Sequence, residues 1–415
     1  MDNIKVCHIN TYDIGGGAEK FSFDFLINCP TENYLLVKEK KSTNNSVDTI
    51  NKNDIFSILL ILDKIFWKIG IRKLSLFKWF RNFKHKNSYH DKLNCTYNNL
   101  KKHPFYKNAD IIQIHNIHGN FFDIESLIKI AKEKHIIWSM HDMWAFTGGE
   151  AYVLENENYK IGEGKTPYNG FYPLNSPEKD KRDYYIKLKK DIYSKIANKI
   201  TFVPGSEWLH NCLLSAYVAP NNINSLVIKE AIDTKIFYNK KNRNWEVPRY
   251  LLVNSNNFYK GAEIFINLFS ENKFEAEFYV IGNDLEIDFG KNEINKLSYI
   301  TTDEELCSVL NNVDFLIFPS KQDNSPLLVT NAMSCGVCVI AMKNSGLINL
   351  LEDESGILFE NNSKTDLINK IEITSKNLNK FREMGISASI RVKEQYDTKK
   401  MYENYINLYK KILKK

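Results

Sequence analysis

Short apolar runs that end in polar loops recur along the chain, and they alternate with segments of helical periodicity. The pattern predicts strands at Ile4 to Asn10, in ADIIQIHN, in KHIIWSM and from Ala197 to Val203. A second series of predicted strands comprises SLVIKE, RYLLVNS, FEAEFYVIG, LSYITT, VDFLIFPS, VCVIAMK and GILFE. Because strands and helices alternate in both halves, we expect an α/β fold with two doubly wound, Rossmann-like domains that face each other across a cleft.

The boundary between the two domains is predicted in the polar run VAPNNINS, near residue 220. Residues 1–220 are expected to form the first domain and residues 221–394 the second. The last helix, about residues 395–415, is expected to pack back on the first domain. The sequences that begin at Thr302 and Ser363 have the spacing of capping boxes, which predicts that helices begin there.

The stretch from Val313 to Glu360 carries the strongest indication of a binding site. Its pattern predicts strand, loop, helix, strand, loop, helix and strand, and the first loop contains Asp323 and Asn324. Asn331 follows inside the predicted helix. In open α/β sheets, ligands bind where strands end and helices begin, so this stretch predicts a ligand site.

A run of glycines, Gly15 to Gly17, separates the first strand from the first helix. Glycine lets a ligand approach backbone N–H groups closely, and a helix N-terminus favours anions. Gly16 and Gly17 are therefore candidates for contact with the phosphates or sugar of a nucleotide. An ordinary glycine turn is the alternative, because glycine-rich loops are common. Lys260 also precedes a predicted helix, where a lysine can pair with phosphate.

Three histidines follow two successive predicted strands. His115 and His118 come after the first of these strands, and His141 and Asp142 come after the second. Histidine at this edge of a sheet can donate hydrogen bonds to sugar or phosphate oxygens. A single histidine would more often be structural, but three in this arrangement favour a site. Their spacing does not match a helical zinc motif, so we expect no metal.

Composition and charge narrow the class of protein. The 415 residues suffice for two or three domains, and a net charge of +6 does not indicate nucleic-acid binding. The seven scattered cysteines predict reduced thiols in the cytoplasm. No apolar run approaches the roughly 18 residues of a membrane span, and the N-terminus enters a strand without a leader sequence. We expect a cytoplasmic protein that is soluble or attached to the inner face of the membrane.

Residues 54–86 combine apolar positions at helical spacing with eight lysines and arginines. Basic residues interspersed with Trp67, Phe77, Trp79 and Phe80 are typical of a helix that lies on an anionic membrane surface. A pair of core-packing helices with a solvated basic face fits the same pattern equally well.

Five segments together resemble the retaining family 4 glycosyltransferases of the GT-B fold, in the branch that builds bacterial capsule, exopolysaccharide or O-antigen. The resemblance covers nearly the whole chain. The segments are GGGAE, HNIHGNFFDIESL, WSMHDMWAFTGG, FYKG and DNSPLLVTNAMSCGVCVIA. The third is similar to a fairly specific H-D-x-W-x-F-T-G-G signature, and the last is similar to the E-x7-E region of the family.

The resemblance implies transfer of a sugar from a nucleotide sugar to a hydroxyl of a lipid-linked or polysaccharide acceptor, with retention and without a metal cofactor. It also implies roles for individual residues, several of them at the donor. These are donor-sugar contact at Asp323 and Asn324, ribose contact at Asn331, diphosphate contact at Lys260, diphosphate or acceptor contact at Gly16 and Gly17, and sugar contact at His115. His118, His141 and Asp142 are candidates for the acceptor side of the cleft.

The chain departs from the family pattern at charged positions. Asp323 and Asn331 stand where the family has two glutamates, Ser255 replaces an arginine, and Asn349 replaces a further glutamate. These losses suggest a second hypothesis, a non-catalytic glycosyltransferase-like protein that binds a glycan or partner. A third hypothesis, a different activity on the same fold such as a sugar-nucleotide epimerase, has support from the fold alone.

Overall fold

The structure is a computed structural model that describes most of the chain. The described residues are 4–50, 62, 65, 66, 68, 96–118, 121–154, 156–164, 182–240, 243–282, 285–298 and 300–414. The segment 54–86, with its membrane and core interpretations, lies outside the described residues apart from those four positions, as do residues 165–181 of the loop predicted from 150 to 182. Within the described ranges, no helix is long and apolar enough to cross a lipid bilayer.

The chain divides into two compact units, each built around one parallel sheet. The first unit contains Met1–Pro204, His210–Leu226 and Tyr405–Lys415, and the second contains Gly205–Leu209 and Val227–Asn404. The prediction of an α/β fold with two Rossmann-like sheets is confirmed.

The sheet of the first unit has six parallel strands in the order β3-β2-β1-β4-β5-β6. The strands are β1 Lys5–Tyr12, β2 Glu32–Glu39, β3 Val47–Thr49, β4 Ile111–Ile114, β5 His135–Met140 and β6 Ile200–Pro204. The helices are α1 Gly17–Asn28, α2 Thr96–Lys102, α3 Pro104–Asn108, α4 Ser126–Glu133, α5 Asn158–Ile161, α6 Arg182–Ile196 and α7 Glu207–Ser215, the last of which contributes to both units. The strand order reverses between β1 and β4, so the loops after these strands meet at the switch point where such sheets bind ligands.

The central strands of this sheet, β1 and β4, are buried almost throughout. The isoleucines of β4 are fully buried. Two polar side chains inside the layer find partners on the final helix. The hydroxyl of Tyr405 lies 2.9 Å from Oγ of Ser139, and the hydroxyl of Tyr409 donates to Oε1 of Gln113.

The sheet of the second unit repeats the same order, as β12-β11-β10-β7-β8-β9. Its strands are β7 Arg249–Val253, β8 Glu277–Ile281, β9 Glu293–Lys296, β10 Phe315–Phe318, β11 Cys338–Met342 and β12 Gly356–Phe359. Its helices are α8 Asp303–Asn311, α9 Leu327–Ser334, α10 Ser345–Leu350, α11 Lys364–Lys376, α12 Leu378–Gln395 and α13 Thr398–Leu413, whose last part belongs to the first unit. The switch point lies between β7 and β10, and the loops after both strands carry predicted site residues.

Three sequence predictions of elements were wrong. The segment SLVIKE forms no strand, because its backbone hydrogen bonds go to separate segments. For example, the N–H of Leu226 donates to the carbonyl of Phe202. In the LSYITT region the strand comes earlier, at β9. The helix predicted after Lys260 is replaced by short 3₁₀ turns, because Gly261 adopts a left-handed φ of +68° that interrupts a helix.

The capping sequences behave differently from each other. The predicted box at Thr302 is complete, since Thr302 Oγ1 accepts from the N–H of Glu305 and the Glu305 carboxylate accepts from the N–H of Thr302. Ser363 Oγ accepts from the N–H of Asp366 at 3.1 Å, but the Asp366 carboxylate accepts from the N–H of Glu360 instead. The second motif therefore caps the helix through the serine alone.

Helix α12 approaches the turn after α9 through Gly385, where a Cβ atom would lie 2.3 Å from the carbonyl oxygen of Gly336. We predict that Gly385→Ala lowers the free energy of unfolding by about 1–3 kcal/mol, because the helix must move away from a backbone atom. Equilibrium urea denaturation measures the change. Ser387→Ala, at an exposed position of the same helix, is the control and should be neutral or slightly stabilising. Equal stability of the two variants would contradict the close contact.

Candidate functional site

The loop after β1 leads into α1 at the first switch point. Gly16 is the N-cap residue of α1, without a side-chain cap, and both Gly16 and Gly17 are exposed. A Cβ atom at Gly15 or Gly16 would approach only the side chain of Glu19, at 3.2–3.3 Å. The two glycines predicted to contact a phosphate therefore lie at an accessible helix N-terminus.

Asn10, at the end of β1, ties this loop to the loop after β4. Its Nδ2 donates to the carbonyl of Ala18 and to Ser22 Oγ in α1. Its Oδ1 accepts from the N–H of Asn116 at 3.2 Å. The amide is fully buried, so one side chain fixes the position of both loops at the switch point.

Three histidines of the first unit form a hydrogen-bonded row. His8 Nδ1 lies 3.0 Å from His115 Nε2, and His115 Nδ1 lies 3.1 Å from His141 Nε2. Both ring nitrogens of His115 are thus engaged, and this residue is 1% exposed. Burial lowers the pKa of His8 to about 4, and burial with the two neighbouring rings holds the pKa of His115 well below its usual range.

A cavity beside this row is lined by His118, His141, Asp142, Trp138 and Trp144, among other residues. His118 Nε2 lies 3.6 Å from Asp142 Oδ2, while Oδ1 of Asp142 accepts from the N–H of Trp144 at 2.8 Å. The structure therefore brings together all four polar residues predicted in the two strand-end loops. In the described part of the chain, no three His, Cys, Asp or Glu side chains are arranged to hold a metal ion.

Helix α6 holds the loop that carries His141 and Asp142. Lys189 is buried, donates to the carbonyls of Trp144 and Thr147, and places its ammonium 3.8 Å from the centre of the Trp144 ring. Burial lowers the pKa of Lys189 to about 7. The hydroxyl of Tyr193 donates to the carbonyl of Ala145 at 2.6 Å.

A buried ion pair closes the other end of the same loop. Arg182 Nη1 lies 2.7 Å from Glu150 Oε1, and burial raises the pKa of the Glu150 carboxyl although Arg182 opposes this effect. A Cβ atom at Gly148 would meet the carbonyl oxygen of Arg182 at 2.8 Å. The glycine is required because the loop and α6 touch through their backbones.

In the second unit, the loops after β7 and β10 meet at Lys260 and Asp323. The N–H of Lys321 donates to the carbonyl of Tyr259 at 2.8 Å, which joins the loops. Lys260 Nζ then lies 2.8 Å from Asp323 Oδ2, which also accepts from Ser320 Oγ at 3.3 Å. The side chain of Lys260 is 44% exposed and that of Asp323 is 9% exposed. The predicted phosphate-binding and sugar-binding residues are therefore in direct contact.

Two buried asparagines beside this pair retain hydrogen-bonding capacity. Asn324 Oδ1 accepts from Ser206 Oγ at 2.5 Å, but its Nδ2 has no hydrogen-bond partner among the described residues. Asn331, in the second turn of α9, is 4% exposed and has an Oδ1 atom that is likewise unpaired among them. Because buried polar atoms are nearly always paired, these two atoms point to a polar ligand.

The loop after β11 fixes the Asp323–Asn324 segment from the other side. Ser345 Oγ accepts from the N–H of Asp323 at 2.9 Å, and the N–H of Gly346 donates to the carbonyl of Asp323 at 3.0 Å. Any Cβ at Gly346 would lie 1.7 Å from the carbonyl oxygen of Asn324. Ser345 has a φ of +44°, a strained value for a serine. The segment is therefore held tightly before any ligand binds.

Sequence analysis missed several residues that support these sites, namely His8, Asn10, Lys189 and Ser345. His8 and Asn10 are polar residues inside an apolar strand, and this pattern alone does not indicate a site. Lys189 lies in an amphipathic helix, where a lysine is expected at the surface. Periodicity cannot distinguish a fully buried lysine from a solvated one. The burial of Lys189 depends on carbonyl groups of the loop after β5, which accept its hydrogen bonds.

Part of the chain is similar to known glycosyl transferases. The sequence model of a family described as "Glycosyl transferases group 1" matches residues 248–377. WcaC of Escherichia coli K12, a putative colanic acid biosynthesis glycosyl transferase, is 23% identical over 327 residues, which are 73% of this chain and 76% of that protein.

Solved structures share the architecture over nearly the whole chain. Sucrose-phosphate synthase from Thermosynechococcus elongatus superposes with a TM-score of 0.61 at 13% identity, covering 99% of each chain. Anabaena HepE, solved in complex with UDP and glucose, has a TM-score of 0.61 at 13% identity, covering 98% of this chain and 99% of HepE.

Two parallel six-stranded sheets with polar switch-point loops, together with these superpositions, show that the chain has the GT-B fold. The residues that match the group 1 glycosyl transferase model, 248–377, lie in the second unit.

We predict that burial of Lys189 makes stability depend on pH. Its pKa is lower in the folded state than in the unfolded chain, so the unfolded chain binds more protons between about pH 7 and pH 10.5, and stability rises with pH there. Over this window, the unfolding free energy of the wild type should rise more steeply than that of Lys189→Met, by up to about 1.4 kcal/mol per pH unit. Urea denaturation at several pH values measures the slopes. Lys187→Met, exposed on the same helix, should keep the wild-type slope, and an unchanged slope in Lys189→Met would refute the prediction.

Proposed function

We propose that this chain transfers a sugar from a nucleotide sugar to a hydroxyl group, with retention at the anomeric carbon, in the assembly of a bacterial surface polysaccharide. The observation that carries the proposal is the contact of Lys260 with Asp323 at the switch point of the group 1 domain, beside two buried amides with unpaired atoms. The colanic acid role in the name of WcaC and the UDP and glucose bound to HepE support the pathway and the class of donor.

Lys260 is proposed to bind the diphosphate of the donor. The departing diphosphate gains negative charge as the glycosidic bond breaks, and a nearby ammonium stabilises that charge. Asp323 and Asn324 are proposed to bind hydroxyls of the transferred sugar, where the Asn324 Nδ2 atom supplies a donor. The carboxylate of Asp323 also favours the positive charge that develops on the sugar ring, as carboxylates do in glycosidases. Asn331 Oδ1 is proposed to accept from a ribose hydroxyl.

The first unit is proposed to act on the sugar and the acceptor. Gly16 and Gly17 offer an exposed helix N-terminus to the diphosphate or the acceptor. His118 and Asp142 line a cavity in which a hydroxyl group would find both a donor and an acceptor. A direct contact of His115 with the sugar would require one of its two hydrogen bonds to histidine to be given up. The acceptor is proposed to be lipid-linked or a growing polysaccharide, and no metal cofactor is invoked.

A screen of nucleotide sugars tests the proposal. Purified protein is incubated with labelled UDP-glucose, UDP-galactose, UDP-N-acetylglucosamine, GDP-mannose and GDP-fucose, with and without a membrane extract as acceptor source. Label should move into a lipid or polysaccharide fraction with one donor. Donor binding without transfer would favour the non-catalytic hypothesis, and neither binding nor transfer with any donor would overturn the proposal.

Lys260→Ala is expected to lower kcat/KM for donor turnover about 10²–10³-fold, because the charge that develops on the leaving group loses its nearest cation. The variant is compared by initial rates with the best donor of the screen. Lys376→Ala removes a similar exposed lysine, which pairs with Glu372 on α11, and should behave as wild type. Equal activity of Lys260→Ala and Lys376→Ala would show that Lys260 does not act on the diphosphate.

Asn331→Ala is expected to weaken nucleotide binding about 5–30-fold, the cost of one hydrogen bond to a buried group. The contact is assigned by combining the variant with 2′-deoxy and 3′-deoxy nucleotides in isothermal titration calorimetry. If Asn331 binds a ribose hydroxyl, removing that hydroxyl should cost the wild type affinity and cost the variant almost nothing. Additive losses with both analogues would place the ribose contact elsewhere.

A further inference from the structure

The C-terminal end of α10 is bonded to an arginine of α12. Arg391 donates from Nη1 to the carbonyl of Leu350 at 2.6 Å and from Nη2 to the carbonyl of Asn349 at 3.3 Å. The last carbonyls of a helix have no partner inside the helix. The guanidinium therefore supplies hydrogen bonds that the end of α10 cannot make by itself, and it places a positive charge at the negative end of the helix dipole.

The same guanidinium also holds the turn that follows α10. Its Nη1 lies 3.4 Å from Ser355 Oγ, and its Nη2 donates to Glu352 Oε1 at 3.0 Å. Asp353 and Glu354 lie between these two residues, and both have a left-handed φ of +56°, which is uncommon for residues other than glycine. Arg391 is 8% exposed, so a buried cation joins the helix end and the next turn to α12.

The N-terminal end of α10 is bonded to the loop after β10. Asp323 donates its N–H to Ser345 Oγ and accepts at its carbonyl from the N–H of Gly346. The N-cap residue, Asn344, accepts from the Ser345 hydroxyl at 2.7 Å and donates to the carbonyl of Ser320 at 2.9 Å. The first turn of α10 therefore determines where the Asp323–Asn324 segment lies.

Because α10 is short, its two ends move together. Its six residues rise about 9 Å along the axis, and a helix of this length is not stable without tertiary contacts. Leu347 and Leu350 pack in the core, but apolar contacts have no preferred direction, so the hydrogen bonds at the two ends set the position of the helix. A Cβ atom at Gly346 would lie 1.7 Å from the carbonyl oxygen of Asn324. A shift of α10 therefore displaces that segment as well.

We infer that Arg391 is a positioning residue that fixes, through α10, the two residues proposed to bind the transferred sugar, Asp323 and Asn324. Its effect is selective, because Asn331, which is proposed to bind ribose, belongs to α9. Arg391 therefore controls the preference for a nucleotide sugar over the free nucleotide. The inference rests on the proposed function for the identity of the ligand, but the coupling between the two ends of α10 does not depend on it.

Hydrogen–deuterium exchange of the full chain without ligand tests the coupling. Arg391→Lys keeps the positive charge but lacks the planar fork that bonds several oxygens at once. The loss of a hydrogen bond to a charged group should speed exchange at least about 10-fold in residues 345–352 and, through α10, in residues 321–327. Residues 328–334 of α9 should exchange as in the wild type. Faster exchange confined to residues 345–352 would overturn the inference.

Arg382→Lys is the matched control. Arg382 lies on the same helix and donates to Asp314 Oδ1 and to the carbonyl of Trp245, both at 2.8 Å and neither in α10. This variant should leave exchange of residues 321–327 unchanged. If Arg391→Lys does not fold, exchange of the wild type in rising urea decides. Residues 321–327 and 345–352 should then open together, and protection of the first segment after the second has opened would refute the coupling.

Isothermal titration calorimetry with UDP-glucose and with UDP tests the selectivity, and GDP-mannose and GDP replace them where the wild type binds only the guanine pair. Arg391→Lys should bind the nucleotide sugar about 5–30-fold more weakly, the cost of one or two weakened hydrogen bonds to the sugar, and should bind the free nucleotide as the wild type does. Equal losses for both ligands would refute a selective role of Arg391. A wild type that binds no nucleotide sugar would contradict the proposed function, whereas the exchange experiments would still decide whether Arg391 positions Asp323.

Discussion

Burying a polar group without a partner costs several kcal/mol in an apolar surrounding, and this constraint governs both switch points of the protein. In the first unit, three buried or partly buried imidazoles, those of His8, His115 and His141, are hydrogen-bonded to one another in a row. In the second unit Asn324 Nδ2 and Asn331 Oδ1 stay unpaired within the described residues. A bound polar ligand would give hydrogen-bond partners to these two asparagine atoms.

Backbone contact is what keeps the second site in place while those atoms await a ligand. Gly346 and Gly261 each bring a loop within a distance that forbids a side chain, at 1.7 Å and 2.0 Å from carbonyl oxygens for a hypothetical Cβ. Ser345 holds a left-handed φ of +44° beside them, and its hydroxyl orients the N–H of Asp323. Strain of this kind persists only where surrounding contacts fix the backbone, as the close approach of Gly346 to its neighbouring carbonyl does here.

The sequence predicts the elements that depend on local periodicity. Its predictions fail where tertiary contacts determine the secondary structure. β10, α9 and β11 follow from apolar runs, and the capping box at Thr302 follows from four residues. SLVIKE has the pattern of a strand, but it pairs with β6 only at the isolated bridge between Ser225 and Phe202. His115 and His141 could be assigned to one site because the strands that precede them are adjacent. The third member of their row, His8, could not be predicted, because the sequence shows only a polar residue in an apolar strand.

Under the proposed function, the ion pair between Lys260 and Asp323 couples recognition of the nucleotide to recognition of the sugar. The side chain of Lys260 is 44% exposed, so exchanging the Asp323 carboxylate for a diphosphate costs little free energy at the lysine. Asp323 is almost fully buried, so losing the ammonium would leave its carboxylate with Ser320 and too few partners. Hydroxyls of a bound sugar can supply them. Under the proposed function, the diphosphate draws Lys260 away and the sugar compensates Asp323, so a nucleotide that carries a sugar should bind in preference to the nucleotide alone.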